Sequence, residues 1–202
     1  MSAAGKVCTG FSMPYVAKYS NVGSVVTYSG VMQLARGVSV SLSLDTTDDN
    51  VFHADNVSAE TAAAIFTGGT ATLTVDGLLA EAEKFILGLP ETTKVPAGGA
   101  QVDVSHYGDG MEIPYVGIGF VVRYQSGGVV TYAPVVLAKA RFQQPGLDAA
   151  TQEENIDWQT QELTATLMRD DTASHDWKLV GADQSTEEAA VEVLKAILGG
   201  AA

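Results

Sequence analysis

A single cysteine, Cys8, occurs among the 202 residues. No disulfide can therefore form within the chain, and synthesis in a reducing compartment is expected. Cations are scarce as well: 11 Lys and Arg stand against 24 Asp and Glu, a formal charge of −13. A protein that grips nucleic acid needs clustered cations to displace condensed counterions. Here they are scattered singly, which disfavours tight DNA binding. Passing contact is a different matter, since an acidic wall repels phosphates and lets a strand slide. No apolar run is long enough to cross a bilayer, so no membrane insertion is expected. The opening MSAAGKVCTGFSMPYVAKY is interrupted by Gly5, Lys6, Thr9, Gly10, Ser12 and Lys18, which argues against export by the general secretory route. With 46% hydrophobic and 17% charged residues, the chain is neither disordered nor membrane-embedded, and one well-buried domain is expected.

What is present is mostly strand. PYVAKY and SVVTYSG flank a turn at 21–23 and read as a hairpin. In GVSVSLSLD, Val38, Val40, Leu42 and Leu44 alternate with Ser39, Ser41 and Ser43, so one face is apolar and the other is open to solvent or a partner. DTTDDNVFHADN follows and reads as a polar, acidic loop. The next segment, TLTVDGLLAEAEKFILGLP at 72–90, changes period in the middle. Its first part alternates as a half-buried strand. After Asp76 and Gly77, the residues Leu78, Leu79, Ala82, Phe85 and Ile86 fall on one side of a helix expected over 78–87, which packs on a sheet. Gly88 and Pro90 end it. The glycine-rich stretch 92–110, with Val95, Gly98, Gly99, Gly108 and Gly110, reads as a loop or mobile excursion. Two long β-rich runs then meet across Ser126, Gly127 and Gly128, and Pro134 places an edge or a bulge in the second. IDWQTQELTATLMR is a further strand carrying Ile156, Trp158, Leu163, Ala165 and Leu167 at even spacing. STEEAAVEVLKAIL is a second amphipathic helix, with Val191, Leu194, Ile197 and Leu198 on one face.

Chemistry is hard to find. His53, His106 and His175 lie far apart, without Cys or Glu at ligand spacing. The acidic stretch 45–56 resembles a calcium loop in composition only, because Asn50 occupies the glycine position and no glutamate closes the frame. Gly117 and Gly119 sit inside a β run and open no helix, so close backbone approach explains them better than a dinucleotide. No serine sits in a nucleophile elbow. The expectation is a non-enzyme without cofactor or metal, although a carboxylate pair assembled by the fold would escape this reading.

The order of features does resemble a known family. GFSMPYVAKY, DDNVFHADN, TLTVDGLLAEAEKFILGLP, YVGIGFVVRYQSGGVVTYAPVVLAKARF and WQTQEL together resemble the major tail proteins of long, non-contractile-tailed bacteriophages, over about residues 10–168. That resemblance implies a mainly β (α+β) fold, a tail-tube-type β-sandwich or barrel of antiparallel strands flanked by a short α-helix, with a long hairpin or loop. The amphipathic C-terminal helix lies outside the family pattern, so the chain is divided into a tube domain at 1–180 and a C-terminal amphipathic helix extension at 181–202. It also implies a virion protein that forms stacked hexameric rings around a channel for genomic DNA. Its expected partners are sister copies, the tape measure, tail terminator and distal tail proteins, and DNA in transit that does not stick. On this reading Asp45, Asp48, Asp49 and Asp55 form an assembly-facing or lumen-facing acidic loop, and Val95, Gly98, Gly99, Gly108 and Gly110 an inter-ring loop. Two other classes stay open from the residues alone. One is a β-sandwich decoration or adhesion module, which predicts a stable monomer or small oligomer with an exposed aromatic or apolar patch. The other is a hydrolase, which predicts turnover lost with one carboxylate.

Overall fold

The computed structural model describes residues 5–48, 50–54, 57–147, 149, 151 and 159–200. The elements run β1 (Val7–Val22), β2 (Val25–Gln33), β3 (Gly37–Thr46), β4 (Asn50–Ala54), β5 (Val57–Ala62), β6 (Phe66–Val75), α1 (Ala80–Leu87), β7 (Thr93–Ala97) and β8 (Ala100–Val104). They continue with β9 (Val116–Ser126), β10 (Val129–Phe142), β11 (Gln161–Met168), β12 (Lys178–Val180) and α2 (Glu187–Ile197). Eight strands make one antiparallel sheet in the order β2-β1-β9-β10-β11-β6-β3, with β12 beside β10; β4–β5 and β7–β8 are separate hairpins. Among the described residues the protein is mainly β with two helices, consistent with a sandwich.

Alternation drives this arrangement. On β6, Ala71, Leu73 and Val75 are fully buried, and on β11 Leu163, Ala165 and Leu167 face the same core. Ile118, Leu137 and Phe142 complete it from β9 and β10. The sheet curls until its β3 end approaches β1, where Gly37 lies against the Phe11 ring. The interior therefore lies between two halves of one sheet, and α1 closes it with Ala82, Ile86 and Leu87.

The second helix covers part of the outer face. Ala190, Val191, Leu194 and Leu198 pack on Tyr15, Ala17, Val121 and Val136. Gly117 and Gly119 make this possible. A Cβ on Gly119 would lie 2.8 Å from Leu194 Cγ, and one on Gly117 would lie 2.9 Å from Leu198 Cδ2. The Gly-Ile-Gly run is thus a seat for α2. Thr186 caps the helix by accepting from the Ala189 amide, and Glu187 and Glu188 in the first turn complement the macrodipole.

Four sequence expectations need correction. Helix α1 begins at Ala80, not Leu78. Leu79 is its N-cap with extended backbone (φ −74°, ψ 145°) and is 69% exposed, while Leu87 takes an inward position. Much of the acidic loop is ladder: β3 runs through Asp45 to Thr46, and Asn50–Ala54 pairs with Val57–Ala62. The excursion at 92–110 contains the β7–β8 hairpin, because β-branched Thr93 and Val95 meet Val104 and Val102 across a Gly98-Gly99 turn with φ of 58° and 83°. Pro134 disturbs nothing at its own position, lying in register with Val121 inside a central strand. Its carbonyl accepts from the Gly181 amide just beyond the end of β12, so its ring nitrogen faces the side where that ladder stops. The bulge falls later, between Leu137 and Ala140. Ile156 and Trp158 lie outside the described residues.

Candidate assembly surface

The outer face of β3, β6 and β11 is built of hydroxyls. Because Leu73 and its neighbours point inward, the intervening residues must point outward. Ser43, Thr70 and Thr166 stand side by side across the three strands, Ser41, Thr72 and Thr164 form the next row, and Ser39 and Thr74 share the third with Glu162. Rows and strands repeat at about 6.7 Å and 4.8 Å. Ser39 Oγ donates to Thr74 Oγ1 at 3.0 Å. Neither helix lies over these rows, since α2 packs on the patch around Tyr15 and Val121, and α1 on the interior. Such a surface holds water through many weak donors and acceptors. Arg141 borders it, opposite Thr166, and that guanidinium lies 5.7 Å from the Tyr115 ring centroid.

Two strands end the sheet. Among the described residues, β3 pairs only with β6 and β2 only with β1. Each leaves a row of backbone donors and acceptors without a strand partner, a template for pairing with another chain. At one end of the hydroxyl rows, Asp45 lies opposite Gly68, and Asp48 follows shortly after β3; both are exposed. Asp49 and Asp55 lie outside the described residues.

The β7–β8 hairpin is a third unpartnered feature. All ten of its residues are exposed. Val95 sits opposite Val102, and both keep nearly half their surface in water, at 45% and 48%. Isolated two-stranded hairpins are marginal in water, and this one is held at its base. The Glu112 amide donates to the Gly88 carbonyl at 3.1 Å, and Thr93 Oγ1 and His106 Nε2 lie 2.6 Å apart. Burial, followed by a hydrogen bond to Glu83, raises the pKa of Tyr107 and marks its contact with α1. Gly98 and Gly99 form the hairpin tip, while Gly108 and Gly110 sit in the returning loop. Of the helix residues expected to pack on the sheet, Ala82 and Ile86 are buried, Leu78 and Phe85 are partly so, and Leu79 is not.

A polar knot ties β1 and β10 to the segment that follows β11. Tyr19 Oη and Lys139 Nζ both donate to Asp171 Oδ2 at 2.7 Å, and the Asp171 amide donates back to Tyr19 Oη at 2.9 Å. Lys139, then Tyr19, holds the Asp171 carboxyl below its ordinary range. Burial, then the Asp171 bond, pushes Tyr19 up to about 12. The depressed carboxylate contributes stability above its unfolded value near 4, and that stability is lost as pH falls through its folded value. The raised phenol contributes below about 10, and its share is lost as pH climbs towards 12. Denaturation midpoints of the wild type should fall at both extremes. Asp171→Asn should flatten the acid limb, and an unchanged limb would show that the knot does not govern it.

Among the described residues, no three His, Cys, Asp or Glu side chains could together hold a metal ion, and no helix is long and apolar enough to cross a membrane. Compared with models of known protein families and with curated proteins, the sequence matches none. The hydroxyl rows escaped sequence reading as one unit. Their signal was present in the alternate threonines at 70–74 and 164–166, but not the strand order that sets them beside the serines of β3.

Proposed function

We propose that the chain is a structural subunit of a tube. It assembles edge to edge into rings, six-membered on the family resemblance, and the rings stack around a channel for a polyanion such as phage genomic DNA. The observation that carries this reading is the pairing of an unpartnered ten-residue edge, β3, with a face of serine and threonine rows on a chain of charge −13. A bore lined by hydroxyls and carboxylates wets readily and gives phosphates little to grip. Exposed edges are a liability in a monomer and an asset in a ring that pairs them. The expected setting is a virion tail, with other tail proteins at its two ends.

Negative-stain microscopy of the purified protein over a range of concentrations tests this. Annular particles and hollow stacks are expected to increase with concentration. Isolated globules at every concentration would overturn the reading and favour a binding module.

A further inference from the structure

Past Phe142 the ladder between β10 and β11 comes apart. The Gln143 amide still donates to the Thr164 carbonyl at 2.8 Å, but the start of β11, from Gln161, has only β6 beside it. Backbone groups of alternate residues face the same neighbour, so the Glu162 amide and carbonyl face the side that β10 has left. No strand pairs with Glu162 on that side among the described residues. A cavity of about 380 Å³ opens at this point, between residues 143–147, the start of β11 and the turn at Asp76 and Gly77.

The lining selects for one kind of ligand. The Leu78 amide donates to Gln161 Oε1 at 3.1 Å, which fixes that side chain and leaves its Nε2 to donate elsewhere. Gln143, Gln144 and Glu162 also line the cavity, and their side chains have no partner among the described residues. Asp76, on the same wall, is already paired with Arg36. Amides donate and accept, while the carboxylate accepts. Among the described lining residues there is neither a cation nor an aromatic ring, so an anion would face carboxylates alone and a flat heterocycle would have nothing to stack on. Leu147 on the wall is 90% exposed, one aliphatic surface beside many hydrogen-bonding groups. A saccharide has the matching pattern, with hydroxyls that donate and accept around a ring that has aliphatic C–H faces. The volume lies near the small end of the range for ligand sites.

We propose that this cavity binds a neutral saccharide of roughly one or two rings, whose hydroxyls bond to Glu162, Gln143, Gln144 and Gln161 and whose C–H face rests on Leu147. The site is complete within one subunit, so it goes beyond the tube reading and does not rest on it. Glu162, Gln143, Gln144 and Leu147 are all exposed, and the ligand must displace the water that hydrates them, which keeps the affinity modest.

Saturation-transfer NMR on the full chain tests this, with glucose, galactose, mannose, N-acetylglucosamine, maltose and lactose as probes. At least one should bind with a Kd of about 1 mM or tighter. Glu162→Ala should weaken that binding about tenfold and Gln144→Ala roughly fivefold, the ratios for losing a hydrogen bond to a charged and to a neutral group. Both residues are exposed, so these variants keep the fold. Thr70→Ala, on the hydroxyl rows but off the cavity, should leave binding unchanged. No transfer to any probe overturns the site. Binding that survives both Glu162→Ala and Leu147→Ala overturns it as well, because the sugar then lies elsewhere. Microscopy reads the tube separately: stacks of a protein that binds no probe remove the site alone, and binding without stacks removes the tube alone.

Discussion

Gly88→Ala is expected to destabilise the protein by about 3 kcal/mol, the sum of a left-handed backbone penalty of roughly 1–2 kcal/mol and a lost backbone hydrogen bond of about 1 kcal/mol. Gly88 ends α1 with φ 58° and ψ 43°, and its amide donates to the Lys84 carbonyl. An added Cβ would fall 1.9 Å from the Glu112 carbonyl oxygen and 2.6 Å from its carbon. Both atoms are backbone, so no rotamer change relieves the clash. The chain must part at the bond from the Glu112 amide to the Gly88 carbonyl, which holds the base of the hairpin. For a chain of this length each kcal/mol moves the melting temperature by about 2–4 °C, so a fall of roughly 6–12 °C is expected by thermal denaturation. A shift within the scatter of replicate melts would show that the base of the hairpin is not held in this way.

Leu194→Ala is expected to cost about 3 kcal/mol, in the middle of the range for emptying a buried leucine site. Leu194 is fully buried between α2 and β9, and it fills the space that a side chain on Gly119 would take. The cavity cannot collapse easily, because the floor beneath it is sheet backbone. The helix carries little intrinsic stability at 11 residues, so its docking is what keeps it folded. Hydrogen exchange should show α2 amides opening first, with β9 and β10 following. Leu79→Ala makes the comparison: a leucine 69% exposed should change monomer stability by no more than about 0.5 kcal/mol. Equal losses for the two variants would contradict the packing described for both.

Much of this architecture was legible in the residues. Strict alternation in GVSVSLSLD and TATLTV marked half-buried strands, and the two long runs around Gly127 and Gly128 marked the β9–β10 hairpin. Both helices were visible from their apolar stripes and their stop signals. The failures have physical causes. A helix periodicity cannot say where the backbone first becomes helical, so Leu79 was counted inward when its extended backbone turns it out. Glycine density read as looseness at 92–110, although two adjacent glycines with positive φ are what a tight hairpin turn requires. Strand order was the largest gap. Nothing local indicates that β6, which precedes α1, pairs with β11 some ninety residues later, and without that pairing the threonines remain scattered. The seat of α2 was half legible: Gly117 and Gly119 announced a close approach without naming what approached.

The two terminal strands of the sheet, β2 and β3, differ in sequence and in surroundings. An open row of copies joined through these unlike borders always leaves one of each vacant at its extremities, however many members it has. Only a circle consumes every border, and the turn contributed by each member then dictates the headcount. If such circles stack, as the proposed tube requires, lengthening along the perpendicular direction has no comparable built-in stopping point.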